Sequence, residues 1–447
     1  MSDRLNGKTK RTSWRLAAVG LAAATVLATS AGAEDKPTIR ILINQSPWLN
    51  AFVSLVDEYQ NDTGTKIQLD VTPFNGMVDK MRNSVRGQQG SFDIVNINAQ
   101  SLAEMYAGGF LKPLKEIDSS FSLPDGVLDF GGSSYWNAAT SSFDAKAELL
   151  GVPTNGNVEV LYYRKDLYEK AGLKVPETWD DLLANAKALQ SPPKQYGFVT
   201  RGTRDSILFD FSPFLFSYGG SFFANPENGD YSVTLNSPQG LQALEMFIKL
   251  ANEAGPGNTG AMEQAELIQL LSTGKAAQGS AVVAAVADLQ DPNKSIVSDT
   301  IETALLPAGP GGKHASVAGH WIAGIPKNVP EENQKAALSF LKWFLEKDTQ
   351  VAYTEAGGIP IRKDLADTKL ADDPQYRFIK AFSENADVAK MNTPLKEGVR
   401  LKEVISLYLN RALIGEISPK DALNGAAKDV NQVLTEAGYK LTPPKML

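Results

Sequence analysis

The sequence predicts an α/β protein built on a parallel sheet whose faces are covered by helices. Three strand-like segments, residues 38–44, 66–74 and 92–98, alternate with helical patterns in the first quarter of the chain. This alternation is typical of a parallel sheet, because parallel strands need a long crossover between them. The chain has 447 residues, more than one compact core holds, so two domains are expected.

The helical patterns lie where the crossovers require them. Apolar residues recur at helical intervals between the first two strands, at Leu49, Phe52, Val53, Val56 and Tyr59. From Leu167 onward the pattern predicts mainly helices, with strands near residues 196–200, 301–307 and 315–326. The chain from about Asp372 is predicted to be almost wholly helical. No low-complexity linker divides the chain, so we expect it to cross between the two domains more than once.

The N-terminus has the three-part pattern of a secretory signal peptide. A basic stretch (residues 1–15) precedes an Ala-rich apolar run (residues 16–30), and Ala31-Gly32-Ala33 forms a small-residue cleavage site. Cleavage after Ala33 would leave 414 of the 447 residues. The alternative is a membrane anchor, but the apolar run is short for a membrane span.

The chain contains no cysteine, which excludes disulfides, thiolate metal sites, a cysteine nucleophile and a lipid-modified N-terminal cysteine. An exported chain without a lipid anchor predicts the periplasm of a two-membrane bacterium. The two histidines, His314 and His320, have no thiol or acidic pair nearby in sequence, so no metal site is expected.

The charge balance argues against nucleic acid and against anionic membranes as partners. The whole chain carries a net charge of −7, and because residues 1–33 carry +4, the mature protein carries −11. Binding to nucleic acid depends on neutralising phosphates with basic residues.

The sequence lacks the motifs of the common enzyme classes: a nucleophile elbow, a phosphate-binding loop, a His-Glu-x-x-His helix and a dinucleotide fingerprint. The protein is therefore expected not to be an enzyme and to need no cofactor. A periplasmic carbohydrate-active enzyme stays the alternative, because it needs only a pair of carboxylates and the chain has 51 acidic residues.

One long segment resembles a known family. "VEVLYYRKDLYEKAGLKVPETWDDLLANAKAL" (158–189) is similar to a signature of the extracellular solute-binding proteins of family 1, the sugar-binding receptors of ABC importers that are similar to maltose-binding protein. Further matches follow in the family's order, at residues 92–114, 270–284, 319–327 and 357–365. Arg164 stands where relatives often have Asn.

The resemblance implies a two-lobe periplasmic binding protein fold (type II, maltose-binding-protein-like), with a hinge and a ligand cleft between the lobes. The N-terminal lobe would contain residues 36–150 and 306–356, and the C-terminal lobe residues 151–305 and 357–447. Closure of two lobes around a ligand is the motion of this class.

The implied function is that of a periplasmic substrate-binding protein. It would capture a sugar, oligosaccharide or polyol as a monomer and deliver it to an inner-membrane ABC permease. A sensory binding protein without a transport role is a further alternative.

Candidate ligand-binding residues follow predicted strands, because clefts form at the carboxyl ends of parallel strands. Gln45, Ser46 and Trp48 follow the first strand and suit a polyol, although Ser46 could instead cap a helix and Trp48 could pack on its first turn. Asn98 and Gln100 follow the third strand. Relatives often have Asp at the position of Asn98, which puts the usual charged sugar contact in doubt.

Two further groups of residues have two possible roles each, either in ligand contact or in the structure of the protein. Tyr135 and Trp136 lie in a Gly/Ser-rich segment and form either a ligand platform or the anchor of a loop. Tyr218, Gly219 and Gly220 offer backbone amides to a ligand or end a helix.

The remaining candidates come from the resemblance. Thr154, Asn155 and Asn157 would face the cleft at the first crossing between lobes, with Gly156 giving backbone freedom there. His320 and Trp321 lie where the family places cleft residues, and Arg362 either clamps the ligand or pairs with a carboxylate of the hinge.

Overall fold

The computed structural model describes residues 36–447, with only the backbone described at Phe74 and Asn75. Its strands are β1 (Ile39–Asn44), β2 (Ile67–Thr72), β3 (Ile94–Asn98), β4 (Tyr135–Trp136), β5 (Glu148–Leu149), β6 (Gly151–Asn155), β7 (Glu159–Arg164), β8 (Phe223–Asn225), β9 (Asp230–Val233), β10 (Gln278–Val282), β11 (Ile301–Ala304), β12 (Ser316–Val317), β13 (Trp321–Gly324) and β14 (Ala389–Lys390). The predicted signal peptide lies outside the described residues.

The helices of the described chain fill the intervals between these strands. They are α1 (Leu49–Thr63), α2 (Phe74–Arg86), α3 (Leu102–Ala107), α4 (Leu114–Ile117), α5 (Lys165–Ala171), α6 (Trp179–Leu189), α7 (Ile207–Ser217), α8 (Pro238–Ala254), α9 (Gln264–Ser272), α10 (Val286–Leu289), α11 (Glu331–Phe344), α12 (Lys347–Glu355), α13 (Phe378–Asp387), α14 (Gly398–Leu413) and α15 (Pro419–Glu436). Within residues 36–447, no helix combines the length and the apolar character that a membrane span requires.

The first lobe is built on a five-stranded sheet with the order β2-β1-β3-β13-β6. The first three strands are parallel, which confirms that part of the prediction. The sheet as a whole is mixed, because β13 runs antiparallel to both β3 and β6. β13 begins at the hinge, where the chain returns from the second lobe, whereas β6 ends at the hinge. The two strands therefore run in opposite directions.

The core of the first lobe joins early and late parts of the chain. Phe52 on α1 packs edge to face on Phe340 of α11, with ring centroids 6.0 Å apart, and both side chains are buried. Tyr353 on α12 is fully buried in the same core. Burying such aromatic side chains contributes roughly 1.5–3 kcal/mol each.

The second lobe surrounds an antiparallel three-stranded sheet with the order β10-β7-β11. The strand expected at residues 196–200 is instead an extended segment that makes only isolated bridges, Tyr196 to Ala276 and Val199 to Gly279, along the free edge of β10. β10 itself was not predicted, since its Gln, Gly, Ser and Ala side chains carry no strand signal. The C-terminal stretch is largely helical, as predicted.

Three neighbouring segments connect the lobes and form the hinge. The first runs from Asn155 to Glu159, between β6 and β7. The second joins β12 to β13, and its Gly319 N–H donates to the carbonyl of Asn157 at 2.8 Å. The third lies at residues 359–361, where Ile359 packs in the core of the second lobe and Ile361 in that of the first.

The lobe boundaries given above stay a prediction. Leu306 and Ala315 pack with the second lobe, whereas Trp321 belongs to the core of the first lobe.

Gly156 is required at the hinge for a reason that the sequence does not reveal. A Cβ atom at this position would lie 2.1 Å from the carbonyl oxygen of Pro360. The glycine therefore permits close contact between two hinge segments, rather than supplying the backbone freedom that the sequence suggested.

We expect Gly156→Ala to lower the free energy of unfolding by about 1–3 kcal/mol, because the hinge backbone must move to admit the methyl group. Gly257→Ala is the matched control, since a Cβ there meets no atom within 4 Å. Urea unfolding of both variants makes the comparison, and equal midpoints would show that the hinge segments are not tightly packed.

Candidate functional site

A cavity of about 500 Å³ lies between the lobes, beside the hinge, and is called the interlobe cavity below. The first lobe contributes Asn98, Ala99, Gln100 and Trp321 to its lining, and the hinge contributes Asn157, Ala318 and Gly319. The second lobe contributes Arg201, Asp205, Ser206, Phe209, Glu263, Gln264, Val282, Met391, Asn392, Thr393 and Lys402.

Asn98 lies at the carboxyl end of β3, where the sequence predicted a ligand contact. Its Oδ1 atom accepts a hydrogen bond of 2.9 Å from the backbone N–H of Ser101. Because a backbone N–H can only donate, this bond fixes the orientation of the amide. The NH₂ group of Asn98 makes no hydrogen bond with the described residues, and Asn98 lines the cavity.

Trp321 begins β13 and pairs with Asn98 across the sheet. Its ring lies 6.2 Å from that of Trp48, and only Trp321 of the two lines the cavity. Trp48 is 2% exposed and packs edge to face on Phe52 at 6.3 Å. The contacts of Trp48 are thus those of a residue that anchors the first turn of α1.

The polar residues of the first crossing have different environments. Asn157 lines the cavity, and its Oδ1 atom accepts from the backbone N–H of Ala284 at 3.2 Å. Asn155 is fully buried and accepts from the backbone N–H of Asn157 at 3.1 Å. Thr154 is buried and donates to Asn96 at 2.8 Å. Of these three predicted residues, only Asn157 reaches the cavity.

Arg201 of the second lobe lines the cavity and forms an ion pair with the buried Asp210 behind it. Arg201 Nη2 lies 2.7 Å from Asp210 Oδ2, and Arg201 Nε donates to the same oxygen at 2.9 Å. The second carboxylate oxygen accepts from the Thr200 hydroxyl and from the Arg201 backbone N–H, both at 3.0 Å. The guanidinium lies 5.2 Å from the ring centre of Phe209. Arg201 is thereby held in one position at the cavity wall.

Lys402 and Glu263 also line the cavity and were missed in the sequence. Burial lowers the pKa of Lys402, because the charged ammonium loses contact with water. Burial raises the pKa of Glu263, and its carboxylate accepts from the Ser206 hydroxyl at 3.4 Å. Among the described residues, Lys402 has no ion pair within 4.0 Å.

His320 lies behind the cavity rather than in its lining. Its ring is fully buried and stacks on Phe130, with centroids 4.4 Å apart and planes at 7°. Burial lowers the pKa of His320 to about 3, so the imidazole is neutral at physiological pH.

The other predicted residues lie outside the interlobe cavity. Trp136 is buried against Tyr106 and Phe143, with ring centroids at 5.9 and 5.2 Å, and its neighbour Tyr135 is half-buried. These contacts are those expected of a side chain that anchors its loop on the core. Gln45 is exposed and Ser46 half-buried at the end of β1.

The remaining predicted residues make contacts within the protein. Tyr218 and Gly219 end α7, with Gly219 at a φ of +83°, and Gly220 packs against Leu215. Arg362 pairs with Asp364 at 2.7 Å and donates to the carbonyls of Leu345 and Asp125 at 3.0 and 2.6 Å.

A larger groove of about 880 Å³ also lies in the described chain. Phe130, Phe143, Phe223 and Lys390 are part of its lining, and it shares Met391 and Asn392 with the interlobe cavity. Of the predicted residues only Gly220 lines it. We take the interlobe cavity as the candidate site, because it collects polar side chains at the end of β3, at the hinge and on the second lobe.

The arrangement suits reversible binding of a small polar molecule. Amide, guanidinium and ammonium donors face carboxylate acceptors, and Trp321 and Phe209 add aromatic surface from opposite lobes. Within residues 36–447, no three His, Asp or Glu side chains are placed to hold a metal ion.

Comparison with known proteins places this geometry in a family. The profile of the bacterial extracellular solute-binding proteins matches residues 45–351. A probable amino-acid ABC transporter periplasmic-binding protein of Sinorhizobium fredii is 26% identical over 90% of this chain and 91% of its own length. A mannitol-binding protein of Pseudomonas aeruginosa is 23% identical over 82% of this chain and 85% of its own.

Solved structures share the fold. Maltose-bound MalE3 of T. maritima superposes with a TM-score of 0.77 at 23% identity, covering 89% of this chain and 99% of that one. A solute-binding protein of Agrobacterium radiobacter K84 in complex with ribitol has a TM-score of 0.75 at 23% identity, with the same coverage. The two lobes, the hinge and the profile match together show that the chain belongs to the bacterial extracellular solute-binding protein family.

Proposed function

We propose that this protein is the periplasmic substrate-binding component of an ABC importer, and that it captures a carbohydrate, either a sugar, an oligosaccharide or a polyol, in the interlobe cavity. The observation that supports this best is the composition of the cavity wall. Oriented amide donors from the first lobe and the hinge face charged groups of the second lobe across about 500 Å³. Cavities of this size accommodate small molecules.

The mechanism follows from the placement of these groups on two lobes. A ligand that bonds both walls at once has a higher affinity for the closed state, and this difference drives closure. The closed protein then presents both lobes to a membrane permease. Relatives named for binding mannitol and for binding erythritol or L-threitol support a polyol or sugar as the ligand.

Several features belong to this proposal as a whole. The protein is exported to the periplasm, the signal peptide is cleaved near Ala33, and the mature chain acts as a monomer without enzymatic activity. The relatives and structural neighbours described above are binding proteins. A carbohydrate-active enzyme is the second candidate only because two carboxylates, Asp205 and Glu263, lie in the cavity.

A thermal-shift screen of the mature protein tests the proposal. Mono-, di- and trisaccharides and linear polyols are each added at a large excess. A ligand at a thousandfold excess over its Kd stabilises the folded state by about 4 kcal/mol and raises the Tm. We expect at least one member of the panel to do so, and we expect Asn157→Ala to weaken its binding by about 1–3 kcal/mol.

Two results would contradict the proposal. The absence of a shift with every sugar and polyol contradicts the proposed ligand class. Chromatographic detection of a product from any oligosaccharide contradicts a receptor without enzymatic activity.

A further inference from the structure

We propose that the ligand of the interlobe cavity carries a carboxylate beside its hydroxyl groups, so that the protein selects a sugar acid over the matching neutral sugar or polyol. This inference rests on the proposed function and narrows its ligand class. The carboxylate would be bound by the amides of Asn98, Asn157 and Asn392 and by the ammonium of Lys402, all of which line the cavity.

The amide of each of the three asparagines is fixed by a hydrogen bond from a backbone N–H. Each Oδ1 atom accepts from a backbone N–H: Asn98 from Ser101 at 2.9 Å, Asn157 from Ala284 at 3.2 Å and Asn392 from Thr393 at 2.8 Å. The protein thus already uses the acceptor oxygen of each amide for one hydrogen bond. Each NH₂ group has no partner in the described chain, so all three amides offer donors.

The two cations of the cavity differ in how their charges are balanced. Arg201 is paired with Asp210 at 2.7 Å. The side chain of Lys402 makes no ion pair or hydrogen bond with any residue in the described ranges. Asp205, Glu263 and Glu403 attract the Lys402 ammonium and Arg201 repels it, but none of the three carboxylates lies within the 4.0 Å of a salt bridge. The space beside the ammonium therefore suits an anionic group supplied by the ligand.

The side-chain acceptors of the cavity are partly used by the protein or lie at the rim. Glu263 already accepts from the Ser206 hydroxyl, Gln264 accepts from Arg201 at 3.4 Å, and Asp205 is exposed at the rim. Every hydroxyl of a neutral polyol brings a proton that needs an acceptor, whereas a carboxylate only accepts. Matching unpaired donors with a carboxylate leaves fewer polar groups without partners.

Isothermal titration with matched pairs tests this inference: gluconate against glucitol, glucuronate against glucose, and galacturonate against galactose. We expect the acid of at least one pair to bind at least tenfold more tightly than its neutral partner. We also expect its affinity to fall as salt is raised from 20 to 300 mM, because screening weakens ionic contacts.

Two variants locate the acidic group. Lys402→Met removes the cation, and Asn98→Asp keeps an acceptor for the Ser101 N–H while replacing the donor by a negative charge. Each should weaken the acid by about ten- to a hundredfold, the range for a hydrogen bond to a charged group, and the neutral partner much less. The exposed Lys420→Met is the control and should bind like the wild type.

Failure of the acid preference and failure of the proposed function would give different results. If a neutral sugar or polyol binds as tightly as its acid, or if Lys402→Met weakens both equally, the acid preference is wrong while the proposed function stands. If no compound in these pairs or in the thermal-shift panel binds, the proposed function is wrong and the inference with it.

Discussion

Replacing Asp210 by alanine should destabilise the protein by about 3–5 kcal/mol, because it leaves Arg201 as a buried cation without its ion pair. The side chain of Asp210 is fully buried, and that of Arg201 is 10% exposed. The substitution also removes the acceptor of the Thr200 hydroxyl and of the Arg201 backbone N–H. Urea unfolding at pH 7 measures the loss.

The matched control is Glu331→Ala, which breaks an ion pair to Lys335 that is exposed on both sides. Water screens such a pair, so a loss of less than about 1 kcal/mol is expected, including that of the carboxylate at the first turn of α11. If Asp210→Ala and Glu331→Ala unfold at the same denaturant concentration, Arg201 is not held in a dry environment. Asp210→Ala should also weaken ligand binding, because Arg201 loses the contact that fixes it at the cavity wall.

A neighbouring carboxylate modifies this expectation. Glu159 is close enough to Arg201 and Asp210 to interact with both. When Asp210 is removed, Glu159 can release its proton and balance the charge of Arg201. The stability lost in Asp210→Ala should therefore become smaller as the pH rises. In the double variant Asp210→Ala/Glu159→Gln, the stability lost should not become smaller with pH. Additive losses at every pH would show that the two carboxylates act independently.

The sequence predicted the first lobe well because local patterns suffice there. β1, β3 and α1 each combine a periodic apolar pattern with a clear end, and the end of β3 placed Asn98 and Gln100 in the cavity. The antiparallel entry of β13 was not predicted. Its direction depends on a return of the chain from the second lobe, which no local pattern records.

The second wall of the cavity was largely missed, for two separate reasons. Arg201 follows the extended segment at residues 196–200, so the rule that found Asn98 would have found it had it been applied there. Lys402 gives no such signal, since it is one of several charged residues on the amphipathic α14. Only the folded chain brings it beside Asn392 and Glu263.

Arg164, whose departure from the usual family residue had no explanation in the sequence, makes a two-pronged contact in the structure. Its Nε and Nη2 atoms donate to the two oxygens of Asp166 at 2.7 and 2.6 Å. The pair lies at the start of α5, outside the interlobe cavity, so it orders the joint between β7 and that helix.

The proton held by Glu159 should make the protein lose stability as the pH rises. Burial raises the pKa of Glu159 well above its ordinary value, Asp210 raises it further, and Arg201 opposes both. Between about pH 4.3, where an unfolded Glu titrates, and the raised value, the folded state binds more protons than the unfolded state. The free energy of unfolding from this group therefore falls with rising pH, by at most about 1.4 kcal/mol per unit.

Glu159→Gln removes the titration while keeping the size and polarity of the neutral side chain. In urea unfolding, we expect the stability of the variant relative to the wild type to increase as the pH rises from 5 towards the raised pKa of Glu159. The difference between the two proteins isolates Glu159 from all other titrating groups, and the exposed Glu331→Gln should track the wild type throughout. Parallel curves for Glu159→Gln and the wild type would mean that Glu159 is ionised in the folded protein. Arg201 would then be shared by two carboxylates rather than bound by Asp210 alone.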